Sequence, residues 1–137
     1  MTAKEFLLKI QHMNNRINNK LIRLETLKSV ACNTSPHLSE DVVQRTREKS
    51  SLENIMVKVV DLSREIDNDI DAYNDYRVSV WEQLDRLYDE RQKRILWLKY
   101  AERKTWNELS SILYISPRHI MRIHKQGLIN LEKILKK

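Results

Sequence analysis

The chain has 137 residues, 41% of them hydrophobic and 32% charged, with a net charge of +6. That length fits one ordinary domain or two small ones. One glycine and two prolines are too few turn residues for a β-rich fold, and the single Cys32 excludes an internal disulfide and a Cys-based metal site. No apolar run approaches the ~20 residues of a membrane span, and Met1–Ile10 does not read as a signal peptide, so a soluble cytoplasmic protein with no membrane partner is expected.

Thr2 is a helix cap with Glu5 in the capping-box position. Apolar residues recur at Phe6, Ile10, Met13, Ile17, Leu21, Leu24 and Leu27 with alternating three- and four-residue spacing, one helical stripe ending near Val30. Cys32 to Ser51 breaks the pattern with Asn33, Ser35, Pro36, Ser39, Ser50 and Ser51. A mobile loop over about 31–51 is predicted, within which part of Glu40–Glu48 can form a short helical turn. A second stripe follows at Leu52, Ile55, Val59, Leu62, Ile66, Ile70, Tyr73, Val80, Leu84 and Leu87. With Ser51 as its cap and no Pro or Gly before Tyr88, it predicts one long helix. Two such stripes joined by one loop bury each other as a long antiparallel helical hairpin, coiled-coil-like, over 1–88. Each stripe then has only one cover, so a homodimer or higher oligomer is expected through the hairpin.

A second module is predicted over 89–137. Asp89 caps a helix carrying Ile95, Leu96, Leu98 and Tyr100; Lys99–Lys104 reads as a turn. Thr105 caps Trp106–Leu113, with Glu108 completing a second capping box. Tyr114-Ile115 is a short turn, and Ser116-Pro117 starts the last helix with a cap and then Pro in the first turn. Thr105 to Gln126 therefore has the layout of a helix-turn-helix, with Leu109, Ile112, Ile115, Ile120 and Ile123 inward. The outward set on the second helix is Arg118, His119, Met121, Arg122 and Lys125, the candidate DNA base contacts. Lys99, Arg103, Lys104, Thr105, Ser116 and Lys133, with Lys136 and Lys137, are candidate backbone contacts. Charge follows the same division. Met1 to Asp85 holds 12 Lys/Arg against 14 Asp/Glu, whereas Arg86 to Lys137 holds 13 against 5. A basic module on a mildly acidic scaffold is the footprint of a double-stranded DNA reader; a basic end serving only solubility is the plainer alternative.

Other residues have plainer readings. Trp97 and Trp106 fall at inward positions, which suits core packing better than base stacking. Trp81 suits a hairpin or dimer contact. Asp67, Asp71 and Asp75, with Asp69 beside them, read as a solvated helix face or a contact for a basic partner. His119 and His124 stand five apart on different faces, poor metal spacing, and His124 reads as a surface residue. Gly127 reads as a small residue for close helix packing. No nucleophile–base set, phosphate loop or zinc pattern is visible, so no enzyme, metal or cofactor is expected.

The stretches Arg94-Ile95-Leu96-Trp97-Leu98-Lys99-Tyr100, Lys104-Thr105-Trp106-Asn107-Glu108-Leu109 and Ile115-Ser116-Pro117-Arg118-His119-Ile120 resemble region 4 of sigma-70-type transcription factors. Across the whole chain, Thr2-Ala3-Lys4-Glu5-Phe6, Arg16-Ile17-Asn18-Asn19-Lys20 and Asp61-Leu62-Ser63-Arg64-Glu65-Ile66-Asp67 are similar to small phage and prophage proteins of low-GC Gram-positive bacteria. That resemblance implies a sigma-like regulator of late phage transcription in the bacterial cytoplasm, with host RNA polymerase as a candidate partner. Region 4 usually carries an acidic residue where Arg118 stands and Gln near Arg122, so an ordinary promoter −35 element is not the expected target. There is also no counterpart of sigma region 2, so a complete sigma factor is not expected. Two further readings stay open: a phage DNA-packaging component of the small-terminase type, and a coiled-coil adaptor without DNA binding.

Overall fold

The computed structural model describes residues 2–33 and 42–137, with side chains over 2–32 and 50–137. Among the described residues the chain is all-helical: α1 spans Ala3–Asn33, α2 Val42–Leu84, α3 Glu90–Tyr100, α4 Trp106–Leu113 and α5 Pro117–Leu135. None of these helices is long and apolar enough to cross a membrane.

The start of α1 is the capping box in full. The Glu5 N–H donates to Thr2 Oγ1 at 3.2 Å, and the Thr2 N–H donates to Glu5 Oε2 at 3.2 Å. α1 runs 31 residues, past its expected end near Val30. α2 runs 43 residues and differs from expectation at both ends. It begins at Val42, so Ser51 is interior rather than a cap, and the expected loop over 31–51 is shortened from both sides. The remainder of that loop, 34–41, lies outside the described residues. Gln44, Arg45, Arg47, Glu48 and Lys49 are all good helix formers, and their summed propensity outweighs the pull of Ser50 and Ser51 toward a cap. α2 ends at Leu84, short of Tyr88, because the chain tightens there. The Arg86 N–H donates to the Gln83 carbonyl and the Leu87 N–H to the Leu84 carbonyl, at 3.2 and 2.9 Å. That turn carries Leu87 into the core, 3% exposed.

Two compact units divide the chain: Met1–Asn14 with Ala72–Lys137, and Asn15–Asp71. The division crosses both long helices rather than falling at residue 88. In the second unit, Ile17 of α1 is buried, as are Val59, Leu62 and Ile66 of α2. Lys20 Nζ lies 2.6 Å from Asp69 Oδ2 and 3.6 Å from Glu65 Oε2. Further along, Ile22, Thr26 and Leu27 share a shallow groove with Lys58, Asp61 and Leu62. Rising numbers on α1 thus meet falling numbers on α2, and within this unit the helices run antiparallel. Their mutual burial is partial: Leu21, Ile22, Met56, Val57, Val60 and Ile70 remain exposed.

In the first unit, Ala3, Leu7 and Ile10 of α1 pack in one cluster with Val80, Leu84 and Leu87, with Leu96 and Tyr100 of α3, and with Leu131 of α5. Each large side chain buried there contributes roughly 1.5–3 kcal/mol. Tyr76 fixes the two long helices to each other in this unit. Its hydroxyl donates to the Phe6 carbonyl at 2.6 Å, and its ring meets Phe6 edge-on at 5.7 Å. Burial pushes the Tyr76 phenol up to about 12, so it stays a donor at any ordinary pH.

Candidate nucleic-acid interface

α4 and α5 stand on a separate buried cluster of Ile95, Leu109 and Ile120, each 0% exposed, with Leu98, Trp106, Leu113, Ile115 and Ile123 around it. Local sequence sets each helix start. Asp89 Oδ1 accepts from the Arg91 N–H at 2.8 Å, Thr105 Oγ1 from the Glu108 N–H at 3.1 Å, and Ser116 Oγ from the His119 N–H at 3.3 Å. All three caps are those the sequence predicts, and Pro117 opens α5. Between α4 and α5 the chain turns at Tyr114, whose φ of 57° and ψ of 39° are left-handed. The Ser110 hydroxyl crosses that turn and donates to the Ile115 carbonyl at 2.6 Å.

α5 has two unlike faces. Ile120, Gly127 and Leu131 are buried, with Ile123, Leu128, Ile134 and Leu135 partly so. At Gly127 α5 packs closely on α3: a Cβ there would stand 3.2 Å from Leu96 Cδ1 and 3.3 Å from Gln92 Cβ. Gln92, 6% exposed, accepts from Asn130 Nδ2 at 3.0 Å, a polar tie between the same two helices. Arg118, Met121, Arg122 and Lys125 are all exposed, at helical spacing that puts them on one face; Ile129 and Lys133 continue it. His119 is exposed beside them. The five candidate base contacts thus lie together on the outward side of one capped helix. That face can offer two guanidiniums and an ammonium, together with a thioether.

The candidate backbone contacts are more scattered. Ser116 and Thr105 are exposed, although their oxygens already serve as caps. Lys133 is exposed in the last turn of α5. Lys99 is partly buried, with Nζ 4.3 Å above the Trp106 ring, and Lys104 Nζ is 3.9 Å from Glu108 Oε2. Arg103 is engaged elsewhere. With a left-handed φ of 56°, it donates from Nη2 to the Gln11 carbonyl of α1 at 3.0 Å, binding the α3–α4 turn to α1.

His124 is not a surface residue, contrary to the sequence expectation. Its ring is stacked on Tyr100 at 5.6 Å and meets Trp106 edge-on at 4.9 Å, with Nε2 2.9 Å from the Tyr100 hydroxyl. Burial, with the Lys99 and Lys4 cations adding to it, pushes the imidazole down to about 4. It is neutral at pH 7 and holds α3, α4 and α5 together. Its aromatic partners come from two other helices, which is why spacing along α5 alone misplaces it. Trp97 and Trp106 are partly buried, as their inward positions predict. Trp81 is 46% exposed with its ring edge-on to Trp97 at 5.2 Å. Asp67, Asp71 and Asp75 are exposed, and among the described residues no group of three or more His, Cys, Asp or Glu is placed to hold a metal ion. No family model, curated protein or solved structure matches this chain.

Proposed function

We propose that this protein binds double-stranded DNA sequence-specifically through a helix-turn-helix formed by α4 and α5, with α5 in the major groove. The observation that carries the reading is the exposed face of Arg118, Met121, Arg122 and Lys125 on a helix whose other side is fixed in a buried core. Arg side chains match the two acceptors of guanine bidentately, and Met offers an apolar surface to a thymine methyl. At the helix start Pro117 has no N–H and the His119 N–H is held by Ser116 Oγ, which leaves the Arg118 N–H to meet a phosphate. The basic excess of residues 86–137 supplies the sequence-independent attraction. The resemblance to sigma region 4 and to phage and prophage proteins points to regulation of phage transcription, by reading a promoter-proximal site other than a −35 element. The apolar side chains left exposed on Asn15–Asp71 support self-association through the hairpin.

Selection of duplexes from a random pool by the full chain tests this. Enrichment of one sequence, bound with an affinity that falls steeply with salt, is the expected result. Recovery of no duplex overturns the reading. Light scattering should give two to four subunits; a ring of about eight or more would move the DNA-binding function from transcription to packaging.

A further inference from the structure

Two non-glycine residues among those described have a left-handed backbone, Arg103 and Tyr114. For a bulky L residue that conformation is uncommon and costly; helix C-caps of this kind usually carry Gly, sometimes Asn. Arg103 has a visible return, since its guanidinium holds the Gln11 carbonyl. Tyr114 has none among the described residues: its side chain is almost wholly in solvent, the residue being 94% exposed. Folding alone would favour a smaller residue at this turn, and the aromatic ring gains nothing by burial.

The turn is well held, so the place where the Tyr114 side chain leaves the backbone is fixed. Ser110 Oγ donates to the Ile115 carbonyl at 2.6 Å, and Ile115 packs against the cluster of Ile95, Leu109 and Ile120. Tyr114 stands two residues before the Ser116 cap, at the entrance to α5 rather than on the face of Arg118 and Arg122. A side chain in that place meets the edge of a groove, not the bases within it. A phenol hydroxyl is a neutral donor suited to a phosphate oxygen. We propose that the Tyr114 hydroxyl donates a hydrogen bond to a DNA backbone phosphate and so sets the register of α5 without reading sequence. The proposal rests on the DNA-binding reading above.

The test compares the full chain with Tyr114→Phe and Tyr114→Asn on two probes, a random-sequence duplex and the best duplex recovered by selection. Both variants should lose affinity for both duplexes by the same factor, about tenfold for a hydrogen bond to a charged acceptor. The slope of affinity against salt should not change, because a neutral hydroxyl displaces no counterion. Tyr114→Asn should also melt at a higher temperature, since Asn suits the left-handed position. Weaker binding in a more stable protein is a pattern that a merely structural role would not give. Tyr114→Phe that binds as tightly as wild type overturns the contact, as does a loss confined to the selected duplex. Wild-type protein that binds neither duplex overturns the DNA reading and this contact with it; wild-type binding matched by Tyr114→Phe overturns this contact alone.

Discussion

Lowering the pH should loosen the C-terminal helices through His124. An unfolded histidine takes up its proton near 6.5, whereas the buried ring holds off until about 4. Between those values the unfolded chain binds the extra proton, so stability falls as the pH falls through that window. Above 6.5 and below 4 this residue adds no slope. The full displacement corresponds to ~3 kcal/mol. The ring is only partly buried and solvent screens part of the effect, so ~1–2 kcal/mol is the expected loss. Protonation also makes Nε2 a donor only, facing a Tyr100 hydroxyl that burial keeps protonated. Urea unfolding of the wild type and of His124→Gln, repeated from pH 7.5 to 4, separates this loss from that of the carboxylates. The glutamine variant should be less stable at pH 7 yet lose less on acidification, so the two curves converge. Parallel curves across the window would refute the assignment of a neutral, buried His124.

Further outcomes are expected at single positions. Arg122→Ala should cost ~1–3 kcal/mol on the selected duplex and relax discrimination there, with a smaller loss on random DNA in titrations at fixed salt; equal losses on both would remove Arg122 from base reading. Leu109→Ala, emptying a site that is 0% exposed, should lower unfolding free energy by ~2–5 kcal/mol in denaturant titration. Ser116→Ala should cost ~1 kcal/mol by removing the hydroxyl that accepts from the His119 N–H, seen as a lower melting temperature. Gly127→Val should destabilise by ~1–3 kcal/mol, because its Cβ would already press on Leu96 and Gln92.

The local starts of the helices were legible in the sequence, and their ends much less so. Thr2, Asp89, Thr105 and Ser116 each cap a helix through bonds spanning two or three residues, so the signal and the structure share one short stretch of chain. The start of α2 is hidden in the sequence because a strong local cap signal at Ser51 sits inside a longer run of good helix formers. Gln92, His124 and Arg103 were opaque for a different reason. Their partners are Asn130, Tyr100 with Trp106, and the Gln11 carbonyl, all distant in sequence. The outward set on α5 was legible because a single amphipathic helix carries it. What sequence reading passed over was Tyr114: the turn was visible, but not the left-handed backbone at a residue other than glycine.

Two ties onto α1 share a feature with consequences for how this chain can change. The Tyr76 hydroxyl and the Arg103 guanidinium both end on main-chain carbonyls, those of Phe6 and Gln11. A carbonyl is supplied by any residue type, so these attachments do not depend on which side chain occupies position 11. They do depend on helical phase. Adding or deleting one residue between Phe6 and Gln11 would rotate one acceptor by about 100° relative to the other and swing it away from its donor. The first turns of α1 should therefore accept substitutions on their outer side while rejecting changes of length, a divergence in letters without a divergence in spacing.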